Sequence, residues 1–481
     1  MSGIILAILV ILIAAFSVWG IFKWPDFFFW IFLILILDPS GYFTIFFDKE
    51  TWGGLYYQDI LFPLLFLPIF SPKVDTSDLW KDKMFKMVLV AEIIFFFYHL
   101  IVYGYIVPGN DLNTYVRFFL VRWRMSVFGF FVLIPVYIMA KRNMGLFVDI
   151  LVFTTVIVFS IFFIQLLAGL EIFPVMQFER YKGSGIMRYS MFSTGLADYT
   201  IPLALFVFLL KIPYRHKNLL YAAASMVFVS IIIALTKSVY ISLFAYIFTV
   251  FFLMYKLFKY PIMSLFKRGT MFSLLLGVAL LISFPQYVDY SARLGKDIYL
   301  FLIAEPYTSG ITEARLDNQV PAHMSIIYQA PFFGAGAVSD RYSSLKYDES
   351  DYEISDLPVT GHIAYFGIVG MLIYLFFYIQ IIRVMRKLYR FIKPKISMEF
   401  LEQNRLELAM IFISFAFFFK TLIFRPNYLF KEITYDRITI NFFAGIMLAA
   451  FYRMREKYNN KESVKLSDRF NIKTEDSDTQ E

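Results

Sequence analysis

LFVDILVFTTVIVFSIFFIQLLAGL, residues 146–170, carries one charge, Asp149, in 25 residues. A helix of that length rises about 37 Å, enough to cross the ~30 Å hydrocarbon core of a bilayer. A helix on the surface of a soluble domain would show a polar face, and this run has none. Lys141 and Arg142 stand just before it, and a second apolar run, Tyr115 to Met139, stands before those. Two apolar runs joined by a short basic link are the pattern of two membrane spans that turn on the side retaining Lys and Arg.

Outward from this pair the pattern repeats. Apolar runs cover Gly3 to Phe22, Phe27 to Phe47, Met87 to Val107, Leu196 to Ile212, Leu219 to Leu235 and Val239 to Leu257. They continue at Met271 to Val288, Val359 to Ile382, Leu408 to Phe424 and Ile438 to Phe451. A shorter run, Ile60 to Phe70, is compatible with spanning or re-entering, which leaves the side of the N-terminus open. The first run lacks a basic leader and a small-residue cleavage site and reads as a retained span. The expected fold is an all-α integral membrane protein, a polytopic bundle of about 12–13 transmembrane helices with one large extracytoplasmic loop.

Composition agrees. The 481 residues are 59% hydrophobic and 17% charged, against roughly half apolar and a quarter charged in soluble domains. The net charge of +8 resides in short clusters between apolar runs, where positive-inside retention accounts for it and nucleic acid is not implied. These clusters are Lys73 to Lys86, Lys141 and Arg142, Lys211 to Lys217, Lys256 to Arg268, Arg383 to Lys395 and Arg453 to Lys457, and they place their loops in the cytoplasm. With no cysteine and four scattered histidines, neither a disulfide framework nor a metal centre is expected.

Residues 1–458 form the transmembrane domain, with outer loops at 171–195 and 290–358, and residues 459–481 read as a disordered, solvated cytoplasmic tail. No internal repeat is visible, which disfavours the inverted-repeat build of secondary transporters. The loop 290–358 is too long for a connector. Within it, residues 311–330 have helical composition, with Pro321 placed to begin a short helix or kink a longer one, and PFFGAG, residues 331–336, reads as the turn that follows.

Three groups of residues are candidates for chemistry. Arg180, Lys182 and Arg188 lie in an outer loop, against the charge bias. Arg117, Arg122 and Arg124 enter an apolar run from the outer side, where a guanidinium must face protein or a wet groove. Arg117 and Arg124 share a helix face, and pairing with Glu92 or another buried carboxylate is as good a reading for them as substrate contact. Arg315, His323, Arg341, Asp356 and His362 surround the large loop and its return to the membrane, offering a phosphate clamp and a proton acceptor, with His323 read as structural.

ARLDNQVPAHMSIIYQAPFFGAG, residues 314–336, followed by DLPVTGHIAYFGIVGMLIYL, residues 356–375, resembles the O-antigen polymerase and O-antigen ligase family. The shared features are Arg315, a helical stretch with an aromatic, the turn Pro331–Gly334–Gly336, and the glycine pair Gly367 and Gly370. Residues 180–200 are similar to the family's Arg-containing outer segment and residues 235–244 to its Thr-x-Ser-Arg segment, although that Arg is absent and Lys237 precedes Ser238. Asp356 stands where ligases of the family carry His.

The resemblance implies a metal-independent, inverting glycosyltransferase of the GT-C type, without cofactor, in the bacterial inner membrane and facing the periplasm. Donor and acceptor would be undecaprenyl-pyrophosphate-linked oligosaccharides, and a chain-length regulator is a possible protein partner. Arg315 and Arg188 would stabilise the leaving pyrophosphate, assisted by Arg180, Arg341, Arg117 and Arg124, and Asp356, or else His362, would be the base. Polymerase is preferred to ligase; a lipid-linked-saccharide flippase is the reading from another class.

Overall fold

The computed structural model describes residues 12, 15–37, 57–77, 79–106, 112–113, 129–168, 176–179, 187–190, 195–234, 237–258, 320–334, 358–395, 397–424 and 435–475. The protein is a helical membrane protein. Three of its helical stretches, Lys83–Val102, Gly129–Ala168 and Phe366–Lys395, are long and apolar enough to cross a bilayer. Shorter apolar helices pack beside them, and the run 271–288 lies outside the described residues.

The helices are α1 (Pro25–Leu37), α2 (Tyr57–Phe66), α3 (Lys83–Phe97), α4 (Leu133–Ala168), α5 (Thr200–Leu209) and α6 (Lys217–Ala234). They are followed by α7 (Lys237–Phe258), α8 (Val320–Gln329), α9 (Pro358–Ile392), α10 (Met398–Phe424) and α11 (Tyr435–Glu475). The run 60–70 is realised as α2 and a closing 3-10 turn, Leu67–Phe70, after Pro63. Two findings depart from expectation. A two-stranded antiparallel hairpin, β1 (Met176–Glu179) with β2 (Met187–Ser190), interrupts the otherwise helical chain. The last helix runs on to Glu475, through a stretch expected to be disordered, because Lys- and Glu-rich sequence has good helix propensity even without an apolar face.

Local chemistry sets where helices begin and turn. Asp82 caps α3, its Oδ1 accepting from the amides of Met84 (2.8 Å) and Phe85 (3.3 Å), while Oδ2 accepts from the Tyr137 hydroxyl (3.0 Å). The stretch containing residues 146–170 is the second arm of α4. Its break is Asn143, at φ −147° and ψ 77°. The Asn143 Oδ1 accepts from the Leu146 amide (3.2 Å) and so caps the second arm, and its carbonyl accepts from Trp30 Nε1 (2.9 Å). The chain doubles back there. Val136, on the first arm, meets Gly445, and Phe147, on the second, packs 5.3 Å from Phe442, so both arms lie against one stretch of α11.

α11 is the central strut, packed along α4 and α10, with α7 beyond α10 and α3 against α9. At one end of it the basic loops converge. Arg142 pairs with Asp26 (2.9 Å) and donates to the Lys73 carbonyl, and Lys73 reaches the Lys23 carbonyl (2.9 Å). Arg453 donates to the Lys141 carbonyl (2.7 Å), and Arg405 to that of Lys211. Among the described residues, the basic clusters around Lys73, Lys141 and Arg142, Lys211, and Arg453 therefore share one rim of the folded bundle.

Glu407, just before the apolar part of α10, fastens that rim by accepting from Arg453 Nε (3.0 Å) and Lys457 Nζ (2.9 Å). Burial alone would raise its carboxyl, but Lys457 and Arg453 outweigh burial and hold it below the ordinary value of 4.5. With its folded pKa below the unfolded one, Glu407 contributes stability that is present above about pH 4.5 and lost as pH falls through the folded pKa. Glu407→Gln should therefore lower stability at neutral pH and flatten the loss on acidification. Thermal unfolding in detergent across that range checks this; parallel pH curves for the two proteins would contradict it.

Candidate functional site

Two features converge on α9, one charged and one made of backbone. The charged one begins with Glu92 on α3 and Arg437 at the start of α11, 345 residues apart in sequence. Arg437 Nε donates to Glu92 Oε2 at 3.2 Å and Nη2 donates to Oε1, a forked pairing in which the side chains are 1% and 2% exposed. The guanidinium carbon sits 4.5 Å from the ring centre of Phe95, 4.6 Å from Phe377 and 5.0 Å from Phe130. One turn on, Asn441 donates to the Gly129 carbonyl (2.8 Å), holding the chain that carries Phe130.

Glu92 lies about 15 Å along α3 from the basic rim, near the middle of a ~30 Å hydrocarbon layer. Isolated charges at that depth would each cost several kcal/mol. Here the carboxylate takes the forked guanidinium, and aromatic faces take the remaining cationic surface. Glu92, offered by sequence as one partner for Arg117 or Arg124, pairs with Arg437; Arg117 and Arg124 lie outside the described residues.

The backbone feature lies next to it. α9 is broken at Gly367, which has φ +65°, a region only glycine enters freely. A helix restarted there has amide donors without intrahelical acceptors. The turn after α8 supplies them, the Pro331 carbonyl accepting from Ile368 (2.9 Å) and the Phe332 carbonyl from Val369 (3.0 Å). The approach is so close that a Cβ on Gly367 would fall 2.2 Å from the Phe332 carbonyl oxygen. Tyr98 donates its hydroxyl to the Phe366 carbonyl, and its ring fills the space a side chain at Gly370 would need. His99, beside Tyr98 on a nine-residue π-helical stretch, packs 5.1 Å from Phe366 and 4.1 Å from Phe95. The turn, the broken helix and the ion pair form one packed column.

α8 also holds His323, fully buried, whose Nδ1 is 3.1 Å from Thr360 Oγ1 on the first segment of α9. Burial pushes the His323 pKa down, so the ring is neutral at neutral pH. His362 lies in that same segment, and Arg188 lies on β2 opposite Phe178. Arg315, Arg341, Asp356, Arg117, Arg124 and Arg180 fall outside the described residues.

Two buried cations, Arg437 and Lys420, are not among the candidates that the sequence singles out. Arg437 directly precedes the run 438–451. Lys420 lies inside the run 408–424, 4.5 Å above the Tyr246 ring. The signal for both was a cation bordering or interrupting an apolar run. Among the described residues no three His, Asp or Glu side chains gather as a metal site requires.

Compared with known proteins, the chain matches no family model, no curated protein and no solved structure. The resemblance to the O-antigen enzymes therefore rests on the motifs themselves.

Removing one partner of the ion pair should be far worse than removing both. Glu92→Leu is expected to cost about 3–5 kcal/mol, and Glu92→Leu with Arg437→Met to recover most of it. Unfolding titrated with SDS in mixed micelles reads both, and equal losses would rule out the pair as the cause. Gly367→Ala should unseat the turn at a cost of about 1–3 kcal/mol. Its signature is faster hydrogen exchange at the Ile368 and Val369 amides, and unchanged exchange there would refute the docking.

Proposed function

We propose that the protein is a membrane glycosyltransferase that polymerises a surface polysaccharide from undecaprenyl-pyrophosphate-linked repeat units at the outer face of the bacterial inner membrane. The observation that supports this best is the seating of the Pro331–Gly334 turn on Gly367. It gives the two halves of the family-like motif, separate in sequence, a single physical purpose, to hold the first segment of α9 at the far end of the bundle from the basic rim.

In this reading Asp356, or His362 on that segment, takes the proton of the acceptor hydroxyl. The oxygen attacks the anomeric carbon from the face opposite the pyrophosphate, the bond to pyrophosphate breaks, and the configuration inverts. Arg315 and Arg188 stabilise the charge on the departing pyrophosphate, and no metal or cofactor takes part. Arg117 and Arg124 are assigned to binding the lipid-linked phosphate, assisted by Arg180 and Arg341. A flippase for the lipid-linked saccharide is the second reading, favoured by the Glu92–Arg437 pair near mid-depth.

A gel of lipid-linked and surface glycans from cells lacking the protein, complemented with wild type, Arg315→Ala or Asp356→Ala, separates these readings. A polymerase predicts one repeat unit on the final acceptor in the null strain, and turnover reduced by about two to three orders of magnitude in Arg315→Ala. Long chains stranded on undecaprenyl pyrophosphate would make the protein a ligase, and loss of all exported glycan a flippase.

A further inference from the structure

The basic end of α9 is not used by the reaction above. Between Asp356 and Glu399 the chain has no carboxylate, while Arg383, Arg386, Lys387, Arg390, Lys393 and Lys395 follow one another within 13 residues. All but Lys395 are exposed. Among the described residues no carboxylate pairs with Arg386, Lys387, Arg390 or Lys393, whereas Arg142, Arg453 and Lys457 on the same rim are each engaged by one.

The placement of these cations is set by the helix. Ile368, Leu372, Leu375, Ile379 and Ile382 are exposed and lie on one face, the face turned to lipid. Five helical turns take about 18 residues, so Arg386, Arg390 and Lys393 continue the line of Ile368, Leu372 and Leu375. The opposite face, with Ile381, Val384, Leu388 and Ile392, is buried against the bundle, so the helix cannot rotate the cations away. Helical side chains lean toward the N-terminus, which here is toward the hydrocarbon, and the long basic stems bring their charges back to the headgroup layer.

We propose that this end of α9 is a binding site for anionic phospholipid headgroups, in the leaflet where the basic rim emerges. The acyl chains lie along the Leu372–Ile382 stripe and the phosphate is held by Arg386 and Arg390, with Arg383, Lys387 and Lys393 on its flanks. Lipid is the occupant because the cationic line is collinear with the lipid-facing one, so that whatever solvates the upper part of the face reaches the lower part too. Clusters of four to eight basic residues directly beyond a span have the charge density this requires. The inference depends on the bundle and not on the glycosyltransferase reading.

The test uses full-length protein in neutral detergent, titrated with phosphatidylglycerol or phosphatidylcholine, with bound lipids counted by native mass spectrometry. Wild type should prefer phosphatidylglycerol. Arg386→Gln with Arg390→Gln should weaken phosphatidylglycerol binding about thirtyfold, while the charge-matched control Arg215→Gln with Lys217→Gln stays within about twofold of wild type. Phosphatidylcholine binding should not change. Equal binding of both lipids by wild type, retained binding in the α9 double variant, or an equal loss in the control would overturn the proposal. So would displacement of phosphatidylglycerol by excess inorganic phosphate or an acidic peptide, because a soluble anion or a protein segment would then be the natural occupant.

Discussion

A carboxyl group and a guanidinium near the middle of an apolar bundle are tolerated only while they hold each other. Glu92 and Arg437 do so through two parallel contacts, and the phenyl rings around them exclude water and cover the rest of the cation. The arrangement brings four helical segments together at one point: α3 supplies Glu92 and Phe95, the chain leading into α4 supplies Phe130, α9 supplies Phe377, and α11 supplies Arg437. Greasy helices slide easily past one another in lipid, because no hydrophobic gain distinguishes one register from the next. A buried ion pair removes that freedom, since any slip that separates the charges leaves both uncompensated. The register of α11 against α3 thus follows from electrostatics, and the packing of small and aromatic residues along α4 and α9 follows from the register.

The broken helix beside the pair obeys the same rule, applied to the main chain. Within a membrane every amide and carbonyl needs a partner. α9 breaks at Gly367 and exposes two donors, and the Pro331–Phe332 carbonyls meet them. That is a physical reason for the residues that carry the family resemblance. Gly367 must lack a side chain because a carbonyl occupies the space. Gly370 must lack one because Tyr98 does, and the turn after α8 must be tight to present two carbonyls at once. The turn thereby fixes how the two segments of α9 meet at Gly367.

Charges at the basic rim are handled in two ways. At the basic rim, Glu407 and Asp26 neutralise some cations and backbone carbonyls accept from others, which ties the loops into a collar. Among the described residues no carboxylate pairs with Arg386, Lys387 or Arg390 on α9, and Arg386 and Arg390 continue the line of its exposed apolar residues. Cations turned toward neighbouring loops join helices, while these two extend the exposed apolar line of α9.

Much of this was legible before any fold was known. The apolar runs, the reversal between residues 139 and 146, the shared side of the basic loops and the short helix before the turn at residues 331–334 are all local signals, written in runs of some twenty residues or in the flanking charge. The run Ile60 to Phe70 is ambiguous in sequence because its length is marginal, and the strands Met176–Glu179 and Met187–Ser190, inside a stretch expected to be an outer loop, carry too little periodicity to be read. What the tertiary structure alone decided is partnership. Lys and Glu content marked the stretch beyond residue 459 as solvated but not as helical. The sequence likewise marked Glu92 as a carboxylate in an apolar run without naming its cation, because spacing along a helix orders neighbours three and four residues apart and carries no information about a residue 345 positions away. Arg437 was chosen by the packing of α11 between α4 and α10, a choice that exists only once the chain has folded.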